Sequence, residues 1–309
     1  MTDTLRLRLP ATSANLGPGF DAVALALSFA LEIDASRAES FSLSATGRNA
    51  DLCSSMQNNL LLETYRGLLH AQGAPVVPLA IEMRNGIPLG MGCGSSAAVR
   101  LAAAALASHF GELGWDRDRI LTEASLLEGH PDNTAACWLG GMAVASCEGG
   151  RVYAASIQPT ASWRVLLAMP GRPLATTAAR AVLPDGYDRS DTVANIQRAA
   201  LLTAAFALGK ADLLRIAMQD AIHQPYRGEM CPLLPALLPL AGREGILGVA
   251  LSGAGPAVLL LVESAAEVRR ARELVLEQAA DCPEIELMEC AIEASPASVT
   301  LLAACGVPK

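Results

Sequence analysis

Residues 88 to 98 read Pro88-Leu89-Gly90-Met91-Gly92-Cys93-Gly94-Ser95-Ser96-Ala97-Ala98, three glycines at alternate positions followed by paired serines that open an alanine-rich run. Glycine has no Cβ, so a backbone bent at these positions can bring several N–H groups close to one anion. The serines stand where a helix would begin, and the unpaired amides and positive dipole end of that helix favour a phosphate. The stretch lacks the Gly-Lys-Ser/Thr ending of a Walker A loop. Its spacing also misses the dinucleotide fingerprint, which needs a third glycine three residues after the second. By itself it reads as a phosphate loop of another kind, or as a plain turn between a strand and a helix. Cys93 reads as a stabilised thiolate or, preferably, as a small side chain that fits a tight turn.

Three further segments concentrate polar groups. In Pro10-Ala-Thr-Ser-Ala-Asn-Leu-Gly-Pro-Gly-Phe-Asp21, the Gly17-Pro18-Gly19 turn presents Asn15 and Asp21 from either side. This amide and carboxylate could grip a small polar ligand or stabilise the turn itself. Glu128-Gly-His-Pro-Asp-Asn133 closes a helix with two acids, a histidine and an amide. It could ligate Mg²⁺ through a carboxylate and orient a substrate through His130 and Asn133, or serve as a solvated cap. Leu251-Ser-Gly-Ala-Gly-Pro-Ala257 is a glycine turn between apolar strands, and Ser252 is no hydrolase nucleophile because Gly-x-Ser-x-Gly is absent.

The elements that must position these segments follow from periodicity. Leu5-Arg-Leu-Arg-Leu9 alternates as a first strand over residues 1 to 10, with strand patterns again near 41–45 and 79–83. Helical patterns cover 60–70, 95–110 and 116–128, the last with Asp116 as N-cap. Strands near 141–147 and 152–157 flank the turn Glu148-Gly149-Gly150. The pattern restarts with a strand at 165–169, helices at 176–182, 191–208 and 211–222, a hairpin within 248–262, a helix at 265–279 and a strand near 284–292. This divides the chain into domains 1–160 and 161–309. The fold class is α+β, and the β-α-α-β-β-α-β order of the second domain suits a ferredoxin-like α/β sandwich.

Composition narrows the function classes. Of 309 residues 52% are hydrophobic and only 4% aromatic, so the core must be built mainly from Ala, Leu and Val. A net charge of −8 with no Lys/Arg stripe argues against a nucleic-acid partner. No signal-peptide core and no run of eighteen apolar residues appears, which argues against a membrane role. The eight cysteines include no Cys-x-x-Cys pair, so we expect free thiols in a cytoplasmic protein rather than a zinc site. A homodimer is the default assembly for such an enzyme.

Taken together, the four segments resemble the GHMP superfamily of small-molecule kinases and, within it, the homoserine kinases, over nearly the whole chain. His223-Gln-Pro-Tyr-Arg227 and the stretch 174–184 with Thr176 and Arg180 are similar to homoserine-kinase features; sister kinases of mevalonate, galactose or diphosphocytidyl-methylerythritol share the loops but not these two stretches together. The resemblance implies the GHMP kinase fold, with a ribosomal-protein-S5-domain-2-like N-terminal domain. It implies ATP and Mg²⁺ as cofactors and phosphorylation of the L-homoserine hydroxyl, a step of threonine biosynthesis. Carried over by position, it implies substrate binding by Asn15, Asp21, His130, Arg180 and Arg227. Residues Pro88 to Ala98 would then bind nucleotide, and catalytic roles fall on Asn133, Thr176 and Arg180. Asp21 would pair with the ammonium and the two arginines with the carboxylate. Asn133 stands where several sister kinases have a catalytic aspartate.

The metal would sit on Ser96 and Glu128. Many relatives carry another glutamate where this chain has Leu126, which leaves the choice open between Glu128 and Glu123. The two are five residues apart, about 140° around a helix, so spacing does not decide. Asn58, Asn59 and Leu60 are candidates for the adenine pocket. The rival readings are a GHMP kinase for another small alcohol and a nucleotide-binding protein without transferase activity.

Overall fold

A computed structural model describes residues 3–282 and 284–302 of the chain. The alternation at the start becomes β1 (Thr4–Asn15), whose Leu5, Leu7 and Leu9 point inward while Arg6 reaches across the ladder to Asp34. β1 does not stop at Pro10. A bulge at Pro10/Ala11 lets the strand continue, buried on both faces, to Asn15. The polar segment first read as following the strand is therefore its inner end, and the turn proper is Leu16 to Pro18. β2 (Gly19–Arg37) returns antiparallel along all of β1.

The first half continues with β3 (Ser42–Gly47), α1 (Ala50–Cys53), α2 (Leu60–Ala71), β4 (Leu79–Asn85), α3 (Ser95–Phe110), α4 (Arg117–Glu128), α5 (Asp132–Leu139), β5 (Met142–Glu148) and β6 (Arg151–Ile157). Long β2 serves two partners on its free side: Leu31–Arg37 pairs with β4, and Val23–Leu25 pairs with β5. Two of these helices start at side-chain caps. Asn59 accepts the amides of Leu61 and Leu62, and Asp116 accepts that of Arg119. The alanine run makes α3 small enough to be buried all round, with Ala97, Ala98 and Ala102 to Ala104 wholly enclosed.

The second half runs β7 (Arg164–Met169), α6 (Thr176–Ala181), α7 (Arg189–Leu208), α8 (Ala211–Ala217), α9 (Gln224–Arg227), α10 (Leu233–Leu237) and a 3-10 turn at Leu238–Leu240. It ends with β8 (Ile246–Leu251), β9 (Val258–Val262), α11 (Ala265–Gln278), β10 (Glu286–Ala291) and β11 (Ser298–Leu302). Strand order β10-β7-β9-β8, all antiparallel, is the ferredoxin-like order expected from the element sequence. The helix expected over 211–222 ends at Ala217. The reason is Asp220, whose carboxylate accepts the amides of Ile222, His223 and Gln224 and turns the chain into α9.

Two features depart from the pattern reading. α5 was not anticipated; it begins inside the Glu128–Asn133 motif, so Asp132 and Asn133 open one helix rather than close another. The boundary at 160/161 falls between β6 and β7, but β11 crosses back and pairs with β1, so 161–309 does not lie wholly with the second sheet. The cysteines, by contrast, are as expected: the seven described ones are free, and Cys305 lies outside the described residues. Among the described residues, no helix is long and apolar enough to cross a membrane.

The second sheet is buried on both faces, and the alternation of β7 sorts its side chains. Val165, Leu167 and Met169 join the core under the first sheet, whereas Leu166 and Ala168 pack beneath α10 and α11. Leu167 thus couples the two halves. We expect Leu167→Ala to cost about 2–5 kcal/mol in urea unfolding, with the midpoint falling and the slope unchanged.

Candidate active site

Gly90, Gly92 and Gly94 all take left-handed backbone angles, with φ of 69°, 75° and 69°. A Cβ at Gly92 would lie 2.0 Å from the Ser252 carbonyl oxygen, and one at Gly94 would lie 1.8 Å from Thr12 Oγ1. Neither position admits another residue without the backbone or Thr12 moving. The loop carbonyls are held from outside: Leu174 N donates to Gly90 O, Ser252 Oγ to Gly92 O and Thr12 N to Cys93 O, at 3.0, 2.9 and 3.1 Å. With the carbonyls satisfied outward, the loop amides and the uncapped N-terminus of α3 face a cleft of about 580 Å³. Such a nest of N–H groups at a helix start binds anions. Cys93 is buried beneath it, and burial pushes its thiol up to about 12, so it is a neutral filler of the turn.

The opposite wall carries charge. Arg180 on α6 donates to both oxygens of Asp21, at 3.0 and 2.6 Å, so the two groups expected to hold the ends of an amino acid hold each other. Asp21 has φ +56°, and its amide donates to Asn15 Oδ1; Asn15 Nδ2 in turn donates to Gly253 O at 2.9 Å. Arg227 on α9 is 1% exposed. Its Nε donates to Ala179 O and its Nη1 to His223 Nδ1 and Gly253 O. Burial, then the neighbouring Arg180, pulls the Arg227 pKa below its ordinary value, yet a guanidinium keeps its charge at neutral pH. The ring of Phe20 lies 5.5 Å from the Arg180 guanidinium and 5.4 Å from that of Arg227, a cation–π contact with each.

The third wall is acidic. Glu128, the last residue of α4, accepts from Ser96 Oγ through Oε1 and pairs through Oε2 with Arg100 Nε at 2.7 Å. Glu123 pairs instead with Arg119 one turn away and does not line the cleft. Leu126 is exposed on the outer side of α4, so a glutamate there would face solvent, not the site. His130 Nδ1 bonds Asp132 Oδ1, which also accepts the Asn133 amide at 2.6 Å. Asn133 Oδ1 accepts from Thr12 Oγ1 at 2.6 Å. Ligand atoms of Asp21, His130 and Asp132 lie within 4.8 Å of one another, a spacing that could hold a metal ion. Arg180 already supplies the cation there, so the group reads as a polar substrate wall.

Asn15, Asp21, His130, Asn133, Thr176, Arg180, Arg227, Ser96 and Glu128 therefore all line one cleft, with Gly90 and Gly92 to Ser95 of the loop. Pro88, Leu89, Met91, Ala97 and Ala98 do not line it. Leu89 instead faces a second cavity of about 700 Å³ that shares Ser95 and Ser96 with the first and is walled by Asn58, Asn59, Leu60 and apolar neighbours such as Met83 and Val99. The side chain of Asn59 is fully used, Oδ1 accepting the Leu61 and Leu62 amides and Nδ2 donating to the Cys53 and Ser55 carbonyls. Sequence reasoning missed Thr12, Phe20 and Arg100. Thr12 and Phe20 stood inside a quoted motif, but nothing local signals that their partners lie far along the chain.

Comparison with known proteins identifies a family. The model of the GHMP kinases N terminal domain matches residues 59–141, and that of the GHMP kinases C terminal domain matches residues 202–280. The chain is 44% identical over 258 residues to the homoserine kinase of Solibacter usitatus, covering 83% of this chain and 84% of that one. To the homoserine kinase of Carboxydothermus hydrogenoformans it is 37% identical over 266 residues, covering 86% and 87%. Among solved structures, the homoserine kinase from Cytophaga hutchinsonii aligns with a TM-score of 0.82 over 97% of this chain and 98% of that one. At 23% identity this last likeness speaks to the fold alone.

The acidic wall has a measurable signature. Burial by itself would lower the His130 pKa, but the hydrogen bond and charge of Asp132, with Asp21 behind it, outweigh burial and raise it. The stabilisation from this pair is complete below the unfolded histidine value of about 6.5 and is lost as pH rises through the folded value. Imidazole titration by NMR should place His130 above about 6.5 in the parent and lower in Asp132→Asn. A parent value below that of free histidine would contradict the assignment.

Proposed function

The chain belongs to the homoserine kinases of the GHMP kinase family, and on that premise we propose that it transfers the γ-phosphate of ATP to the hydroxyl of L-homoserine, giving O-phospho-L-homoserine and ADP. The observation that carries this reading is the facing of two arginines and one carboxylate across a cleft whose other side is the amide nest. Homoserine bears a carboxylate for Arg227 and Arg180, an ammonium for Asp21 and a hydroxyl that reaches towards the nest. The product would feed threonine biosynthesis in the cytoplasm.

Each absent group can be tested against the residues present. The alternate glycines, where a Cβ would strike Ser252 or Thr12, leave bare amides at the start of α3, which suits the phosphates of ATP. The apolar cavity that meets the cleft at Ser95 and Ser96 suits its base. Ser96 and Glu128 offer a hydroxyl and a carboxylate, hard oxygen donors that suit Mg²⁺. Held by these two residues, the ion would supply positive charge against that which builds on the leaving diphosphate.

The chain's own residues then bind and orient. Exchange of the Asp21–Arg180 pair for the ammonium and carboxylate of the substrate keeps every charge matched. Arg227, anchored by its other bonds, fixes where the carboxylate sits. Asn133 and Thr176 line the cleft where the hydroxyl and the transferred phosphoryl group would meet. Asn133 cannot take a proton, and none is demanded early, because a loose phosphoryl-transfer transition state asks for alignment and charge neutralisation.

A coupled ADP-release assay should give L-homoserine a kcat/KM at least about a hundredfold above mevalonate, galactose or L-threonine, the difference expected when buried polar groups go unpaired. Arg180→Ala combined with Arg227→Ala should lower kcat/KM for homoserine by a similar factor and leave thermal stabilisation by ATP in place. Turnover of another alcohol in preference to homoserine would move the chain elsewhere in the superfamily. Stabilisation by nucleotide without ADP release would favour a non-catalytic binder.

A further inference from the structure

One buried histidine takes no part in those steps. His223 immediately precedes α9, is wholly buried, and stacks on Phe20 with ring centroids 5.2 Å apart and planes 25° apart. Its Nε2 lies 2.8 Å from the carbonyl oxygen of Gly17, an atom that can only accept, so Nε2 carries the proton. Its Nδ1 lies 3.1 Å from Arg227 Nη1, which can only donate, so Nδ1 is the bare acceptor. Two neighbours thus select a single neutral tautomer. Burial acts in the same direction, holding the imidazole below its ordinary pKa. The carboxylate of Asp220, 3.7 Å from Nε2, opposes this, but it already accepts three backbone amides.

The consequence falls on Arg227. Its Nε is tied to Ala179 O and its Nη1 to His223 and Gly253, while Nη2 has no protein partner among the described residues. The guanidinium is planar, so fixing two of its nitrogens fixes the direction of the third. Through its other nitrogen the same imidazole holds the Gly17 turn, four residues before Asp21. One neutral ring therefore couples the group that would meet a carboxylate to the turn that would present the group for an ammonium.

We infer that His223 is a positioning residue for recognition of the substrate's α-carboxylate: as a neutral Nε2–H imidazole, it accepts from Arg227 Nη1 and so aims Nη2 into the cleft. This rests on the homoserine reading above. An apolar side chain of similar volume would fill the same space and stack on Phe20, but it would leave Arg227 Nη1 with only its longer 3.3 Å bond to Gly253 O, a looser aim, and the Gly17 carbonyl without its donor.

Two isosteric amides separate the bonds. His223→Asn keeps an acceptor near the Nδ1 position and loses the Nε2 donor; His223→Gln keeps a donor near Nε2 and loses the acceptor. For each variant, KM for L-homoserine and for ATP and the thermal midpoint are measured, together with the ratio of kcat/KM for L-homoserine to that for its decarboxylated amino-alcohol analogue. His223→Gln should raise KM for homoserine about tenfold or more and cut the ratio by a similar factor, as expected for a lost hydrogen bond to a charged group, with KM for ATP changed less than about twofold. His223→Asn should recover most of the loss. Equal effects of the two amides, or a parallel rise in KM for ATP, would overturn the inference.

Nitrogen-15 NMR of the parent, which needs no substitution, should show the neutral Nε2–H form near neutral pH; an Nδ1–H tautomer or an imidazolium would also overturn it. Lack of any preference for homoserine over the amino alcohol in the parent would defeat the substrate reading itself. A preference that survives undiminished in a folded His223→Gln defeats only the role given to His223.

Discussion

The cleft depends on how closely three chain segments approach at Gly92 and Gly94. Thr12 on β1 and Ser252 after β8 press against these two positions at distances that exclude any side chain. The same neighbours take the outward carbonyls: Thr12 N binds Cys93 O, and Ser252 Oγ binds Gly92 O and Ser13 Oγ. A peptide whose carbonyl is held on one side must turn its amide to the other, so the anion nest is a product of these contacts. Asn15 extends the junction to Gly253, and the turn that carries Asp21 is set by that bond. Loosening the approach would therefore disturb the glycine loop and the Asp21 turn together.

The charges of the cleft divide into fixed and exchangeable groups. Arg227 is enclosed and held by three hydrogen bonds, and leaving any of them unmade would cost about 1–3 kcal/mol. The Asp21–Arg180 pair is different: the side chains are 32% and 37% exposed. Ion pairs so open to water contribute only about 0–1 kcal/mol, so their exchange for complementary charges on a ligand carries little penalty. A rigid cation beside a replaceable ion pair is an arrangement that discriminates by charge position without a deep well in the free protein.

Much of the fold was legible because the signals are local. The start of α4 at Arg117 follows from Asp116, a cap three residues from the amide it accepts. The β8–β9 hairpin follows from a glycine turn between two apolar runs. Where the outcome depended on distant partners, local reading failed. α8 stops at Ala217 because Asp220 captures amides further on, and β11 is recruited by the edge of β1, a strand nearly three hundred residues earlier. Which of Glu128 and Glu123 lines the cleft depends on which face of α4 meets Ser96 and Arg100 on α3, a matter of helix packing that spacing leaves open.

The amino-acid sequence by itself determined which residues were available for chemistry and the local geometry they prefer. Alternate glycines can bend into a nest, serines and alanines can open and fill a buried helix, and an asparagine and an aspartate can flank a turn, since each depends on neighbours within a few residues. Only the tertiary structure decided what those residues do with one another. That Asp21 meets Arg180, 159 positions away, and that His223 is neutral with its proton on Nε2, depend on atoms brought together by the packing of two sheets. Electrostatics and tautomer choice act over ångströms in space, and separation along a chain carries no measure of that distance.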